Sequence, residues 1–188
     1  RHEQANLLVT LLAHRHDHTL PPSRSGVDLD QMFRPSLPAD FHHRLLVHEA
    51  AAFLRISESL QQEGRGSAGT WGARILAMHQ SVELLVKAIA LRNVDYFQCA
   101  MRGHDVLAIL RKHKNAVPLF KDILDSADQK ELLKELYAGY QTVRYGEASV
   151  SYDDDTWTTF IGLANRLNAQ ANAEPIRGRR PLSHSPSE

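Results

Sequence analysis

Three ionisable side chains fall four residues apart in the middle of the chain: His79, Glu83 and Lys87. On a helix that spacing stacks an imidazole, a carboxylate and an ammonium along one line, with Glu before Lys in the favourable order for an ion pair. Two later stretches carry related chemistry. Gly103-His104-Asp105 sets a second imidazole and a second carboxylate directly after a glycine, and Tyr140-Gln-Thr-Val-Arg144-Tyr145 sets a guanidinium among phenol rings. Imidazole exchanges protons near neutral pH, and guanidinium grips phosphate through a planar fork. The same residues also have plainer readings. Glu83 and Lys87 can form a solvated ion-pair edge worth a few tenths of a kcal/mol. Gly-His-Asp can be the start of a helix, with His104 as its cap and Asp105 in the first turn facing the helix dipole.

Other clusters point less sharply. His14, His16, Asp17 and His18 combine donors that suit zinc or nickel, but they precede Pro21 and Pro22 and read as a solvated linker. The glycine-rich run Gly64-Arg-Gly-Ser-Ala-Gly69 lacks the G-x-x-x-x-G-K-[ST] pattern of a phosphate loop and reads as a turn between helices. Asp153, Asp154 and Asp155 serve an acidic helix N-terminus as well as they would serve a cation. Arg177, Arg179 and Arg180 form a small basic cluster in a solvated tail. The single cysteine, Cys99, excludes an intramolecular disulfide, and no serine stands in a nucleophile motif. No metal and no cofactor is assigned.

The elements that must position these groups are all helical. Residues 1 to 14 carry Ala5, Leu8, Leu11 and Leu12 at helical spacing, a short appendage. Pro38 suits the first turn of a helix from about Asp40 to Gln62, with Phe41, Leu45, His48 or Glu49, Ala52, Ile56 and Leu60 on its inward stripe. His42 and His43 are then surface residues. A helix from about 70 to 92 follows. Trp71, Ile75, Met78, Val82, Leu85 and Ile89 form its seam, and Ala77, Leu84, Ala88 and Leu91 widen the apolar arc, so it is central.

Tyr96, Phe97 and Cys99 fall in a less regular stretch. A shorter helix spans about 104 to 113 and another short helical turn Val117 to Leu124. Ser126 and Gln129 read as a capping box opening a helix with Leu133, Leu136, Tyr140 and Val143 inward, stopped at Gly146. The last helix buries Trp157, Phe160, Ile161, Ala164, Leu167 and Ala171. No stretch alternates as a strand does. The fold class is all-α: an up-down antiparallel four-helix bundle with one short extra helix and an N-terminal helical appendage. Residues 1–38 form the helix and linker, 39–173 the bundle and 174–188 a disordered tail.

At 188 residues, 43% hydrophobic and 23% charged, the chain suits one soluble domain with a real core. Formal net charge is zero, so no global positive field announces nucleic acid, although a local basic patch remains open. No apolar run reaches spanning length and no secretory signal is visible, which makes a reducing cytoplasm the expected location.

Glu83-x-x-x-Lys87-Ala88, Gly103-His104-Asp105 and Tyr140-x-x-x-Arg144-Tyr145, in this order on helices of this kind, resemble the HEPN family of helical bundles over roughly residues 40 to 172. Many members of that family are metal-independent ribonucleases, often acting across a dimer interface. Their signature is an arginine followed after four to six residues by a histidine. Here Arg144 is followed by Tyr-Gly-Glu-Ala-Ser-Val-Ser. Arg74 with His79, and Arg177 or Arg179 with His184, have the spacing, but eleven histidines make chance matches easy. Arg74 and His79 lie about 140° apart around a helix and face different ways.

The departure favours the non-nuclease branch, which resembles binding modules found beside nucleotidyltransferases. By that resemblance Glu83, Lys87, His104, Asp105, Tyr140, Arg144 and Tyr145 gather around one polar cleft, with Lys87 and Arg144 toward a phosphate and Tyr140 or Tyr145 lending a ring or hydroxyl. A buried polar network that fixes helix register is the structural alternative. The expected function is a HEPN-like accessory module, dimeric, without catalytic residues. It would bind a nucleotide or phosphorylated ligand or dock to a nucleotidyltransferase, with no membrane partner. Two other readings stay open: a degenerate-motif, metal-independent ribonuclease of the toxin or defence type acting on RNA, and a purely structural dimerisation module.

Overall fold

The computed structural model describes residues 39–63, 68–91, 103–146 and 151–173. These form six helices: α1 (Ala39–Glu63), α2 (Ala68–Leu91), α3 (Val106–His113), α4 (Pro118–Asp125), α5 (Ala127–Tyr145) and α6 (Asp154–Ala173). No strand occurs among the described residues, and no helix there is long and apolar enough to cross a membrane. The N-terminal appendage, the His14–His18 cluster, Gly64 to Ser67, the stretch holding Tyr96, Phe97 and Cys99, and the arginine-bearing tail lie outside the described residues.

Helix α2 is the axis of the fold. From Ala73 to Leu91 every residue except the half-buried Leu76 is buried, because α1, α3, α5 and α6 surround it. A helix apolar nearly all round can be stable only when covered on every side, and that is how this one sits. The hydroxyl of Ser81 donates to the Ala50 carbonyl at 2.9 Å and that of Ser57 to the Arg74 carbonyl at 3.3 Å, so α1 runs antiparallel to α2. Tyr140 lies over His79, while Val143 approaches Gly72 so closely that a Cβ there would meet it at 3.1 Å; α5 is therefore antiparallel to α2 as well. Trp71 and Trp157, both near the starts of their helices, stack at 6.1 Å, placing the first turns of α2 and α6 at one end. This is the expected up-down bundle. Its short insertion is two helices, since Pro118 to Asp125 completes two turns of its own.

Local signals set most boundaries. Asp105 Oδ1 accepts the Ala108 N–H at 3.1 Å, Ser126 Oγ accepts that of Gln129 at 3.3 Å, and Asp153 Oδ1 accepts that of Thr156 at 2.7 Å. Gly146 ends α5 at φ 69°, a left-handed position that glycine takes without strain. Two expectations about caps change. The cap of α3 is Asp105, and His104 is turned elsewhere. The Ser126–Gln129 box is only half formed, because the Ser126 N–H already closes α4 by donating to the Asp122 carbonyl.

The inward stripe of α1 is also corrected. His43, Leu46, Ala50, Leu54 and Ser57 face the core, His42 is buried beside them, and Phe41 and Leu45 are 48% and 42% exposed. The expected stripe is offset by about one residue, roughly 100° of helix. Small side chains at Ala50 and Ser57 let α2 come close enough for direct hydroxyl-to-carbonyl bonds, which bulkier residues on that face would prevent.

Candidate ligand-binding site

Helical spacing brings the first three groups together. On α2 the Lys87 ammonium donates to Glu83 Oε1 at 2.5 Å, and His79 Nδ1 stands 3.8 Å from Glu83 Oε2, beyond hydrogen-bond range. The row is no solvated edge, because His79 and Glu83 are each 1% exposed and Lys87 5%. The fourth group arrives through a turn. Gly103 takes φ 75°, and the next residue points His104 Nδ1–H back at the carboxylate, 3.0 Å from Oε2 and 3.2 Å from Oε1. Asp105 then caps α3 and stays out of the row.

These partners decide the charge state of Glu83. Burial alone pushes its carboxyl up. The His104 hydrogen bond, then the charge of Lys87, outweigh that and hold it down at about 2, so it is a carboxylate throughout the neutral range. His79 moves down for a different reason. Burial lowers it to about 4 against the pull of Glu83 and of the nearby His104 backbone, and both ring nitrogens are sealed from solvent. It is a neutral imidazole.

Helix α5 supplies the outer half. Tyr140, 4% exposed, lies flat on His79 with ring centroids 3.9 Å apart at 12°, and its ring is 6.0 Å from that of His104. Burial raises its phenol above the usual range. Four residues on, Arg144 Nη1 donates to the Tyr140 hydroxyl at 2.7 Å. Its Cζ lies 5.7 Å from the ring of Tyr145, which is 64% exposed. No carboxylate pairs with Arg144 among the described residues.

Of the seven residues singled out in the sequence, Glu83, Lys87, His104, Tyr140 and Arg144 thus form one connected run from core to surface. Tyr145 touches it only through Arg144, and Asp105 is its neighbour in sequence with a separate task. Two members escaped selection. His79, the platform under Tyr140, was visible as the residue four before Glu83. Tyr137, with its ring 5.8 Å from His79 and 6.3 Å from Tyr140, was signalled only by its three-residue spacing from Tyr140. The Arg74–His79 pair is separated as its spacing requires: His79 faces α5, and Arg74 faces Trp157 on α6.

In chemical terms the run is graded. Its inner end is a carboxylate neutralised by an ammonium and an imidazole N–H. Its outer end is a guanidinium with one fixed hydrogen bond, its remaining donors uncommitted to any acid among the described residues. Among the described residues no group of three His, Cys, Asp or Glu side chains is disposed to hold a metal ion. The family model described as HEPN domain matches residues 44–169, from the second turn of α1 to the penultimate turn of α6. No curated protein and no solved structure matches the chain.

Proposed function

We propose that this chain, which belongs to the HEPN domain family, is a binding module that takes a nucleotide or another phosphorylated ligand at Arg144. The observation that carries the reading is the position of that arginine. It stands at the outer end of a polar run whose inner charges already satisfy one another, steered by Tyr140 and opposed by no described carboxylate. A phosphate would complete it through charge-assisted hydrogen bonds, and the exposed Tyr145 ring beside it would stack on a base. Lys87, expected from the family resemblance to share the phosphate, is engaged by Glu83 and supports the site from below. Titration calorimetry of the full chain with ATP and AMP at low ionic strength tests this. Wild type binds; Arg144→Ala loses at least about tenfold in affinity with an unchanged melting temperature. An absence of heat with either nucleotide sinks the reading. A homodimer and a nucleotidyltransferase partner belong to the same proposal, read out by molecular mass in solution and by co-purification.

One observation supports a second reading. His104 and Arg144, forty residues apart, flank the same phenol ring, so a histidine and an arginine meet in space although the family's sequential motif is missing after Arg144. A metal-independent ribonuclease needs such a pair for proton transfer and for charge developing on phosphorus. Against it, the His104 Nδ1–H is occupied by Glu83. Cleavage of labelled RNA in EDTA, lost in His104→Ala, would favour this second reading over the first.

A further inference from the structure

Arg144 is a long, partly buried side chain, and among the described residues only one hydrogen bond fixes where its guanidinium points: the one to the Tyr140 hydroxyl. The direction of the guanidinium therefore depends on what fixes Tyr140. That ring makes one close face-to-face contact, with His79 at 3.9 Å and 12°. Its other ring neighbours, His104 and Tyr137, stand at 6.0 and 6.3 Å with larger tilts. His79 in turn projects from the most completely buried stretch of the molecule, where α2 is covered on every side.

We propose that His79 is a positioning residue for the ligand site: a flat, uncharged platform that holds the Tyr140 ring, and through its hydroxyl the Arg144 guanidinium, in the direction a phosphate needs. This inference rests on the reading of Arg144 as the phosphate-binding group.

Three features of His79 fit that role better than the ones a histidine in a polar row usually takes. It is not a hydrogen-bonding partner of Glu83, because 3.8 Å is too long and Glu83 already receives Lys87 and His104. It is not a proton carrier, because both nitrogens are sealed from solvent and burial, opposed by Glu83 and the His104 backbone, keeps the ring neutral well below pH 7. It contributes the face of its ring, and a ring face is what the contact with Tyr140 uses. The arrangement also explains a flat ring in this position. A leucine there would fill space but would leave the phenol ring free to tilt, and the hydroxyl would move with it.

The experiment measures ATP affinity by calorimetry for the full chain, for His79→Ala and for His79→Phe, each alone and in a Tyr140→Ala background. Arg144→Ala is included as the control for the site itself, and all titrations are run well below each variant's melting temperature. In the tyrosine-containing chain, His79→Ala weakens ATP by about tenfold. His79→Phe, which restores a flat ring, stays within about twofold of wild type. In the Tyr140→Ala background the two His79 variants bind alike, because the platform has nothing left to hold.

The inference is overturned if both His79 variants match wild type, if both lose affinity equally, or if His79→Ala weakens binding further without Tyr140. In each of those cases a tenfold or larger loss in Arg144→Ala leaves the ligand site standing. No ATP binding by wild type, or wild-type affinity in Arg144→Ala, overturns the site and the platform together.

Discussion

Helix α2 buries two cations more than three turns apart and treats them in opposite ways. Lys87 is held by a carboxylate that also receives His104. Arg74, 3% exposed, has no acid in contact among the described residues: its Cζ lies 3.6 Å above the Trp157 ring and 5.8 Å from that of Trp71, while Nε and Nη2 are buried with no hydrogen-bond partner there. Burial lowers its guanidinium to about 10, opposed by the charge of Asp154, and it stays protonated. The indole faces supply a diffuse attraction to the cation that needs no directed partner. At one end of α2, charge is matched group by group, and removing any member strands another. At the other, a cation is tolerated as a large flat side chain filling space between tryptophans. A polar network of the first kind can hold a functional group in a set direction. A contact of the second kind packs.

The sharpest way to break this contrast is to remove the shared carboxylate. Glu83→Ala leaves the Lys87 ammonium in the core with its acid gone and should cost about 3–5 kcal/mol, the usual penalty for breaking a buried pair from one side. Urea denaturation measures it. Lys87→Met added to Glu83→Leu should recover most of the loss, since the pair is then replaced by apolar groups of similar volume. Equal destabilisation by the single and double variants would show that packing, not charge matching, holds this end.

Acid tests the same end without mutation. An unfolded His79 takes a proton near pH 6.5, while the folded one declines it down to about 4. Stability is therefore whole above pH 6.5 and falls as pH drops toward 4, by about 1.4 kcal/mol per unit at most, or about 3 kcal/mol across that window. Glu83 adds a second loss. Its folded carboxyl is held below the unfolded value, so the stability it contributes is present above about pH 4.5 and drains as pH falls further. His79→Phe should shrink the upper part of the decline, to which the buried His113, also lowered by burial, still contributes, and leave the lower. Melting temperatures from pH 8 to 3 separate the two.

How much of this was legible depends on what spacing can encode. The four-residue rhythm of His79, Glu83 and Lys87 gave their alignment, and the width of the apolar arc around them gave the centrality of α2. Their burial followed only from the second fact, since a line of charges on an ordinary amphipathic helix faces water. Bulk misled on α1. Phe41 and Leu45 look like core residues, but close approach of α2 selects Ala50 and Ser57, and helices pack by fit as well as by hydropathy. The arrival of His104 at Glu83 was not encoded in any local period. It needs the left-handed Gly103, and the resemblance to a family supplied the expectation that spacing did not. The cation–π packing of Arg74 had one local trace, the Trp71 three residues earlier, and the decisive Trp157 lies more than eighty residues away.

Asp105 offers a smaller test at the junction of the two ideas. Its Oδ1 caps α3 while the preceding residue reaches into the charge-matched end. Asp105→Ala should cost about 1 kcal/mol, the usual worth of such a cap. If the turn also aims His104, the lower limb of the acid profile should shrink, because without the His104 hydrogen bond the folded carboxyl of Glu83 lies nearer its unfolded value and has less stability to lose. A stability loss with an unchanged acid limb would confine Asp105 to the helix end.

The smallest effect is expected where the contrast predicts indifference. Arg74→Met removes a charge, two unpartnered buried donors and the cation–π contact, and it keeps a long flexible side chain against Trp157. The lost attraction, about 0.5–2 kcal/mol, is offset by relief of unpaired N–H groups at about 1–3 kcal/mol for the set, so the net change should fall within about 1 kcal/mol of zero. Arg74→Ala, which opens the space between the indoles, should cost about 2–3 kcal/mol more than that. Near-UV circular dichroism reports the Trp71–Trp157 stack directly and should change with alanine and not with methionine. If methionine instead destabilises as much as Glu83→Ala does, then the arginine is bound by its charge after all, and α2 has two charge-matched ends.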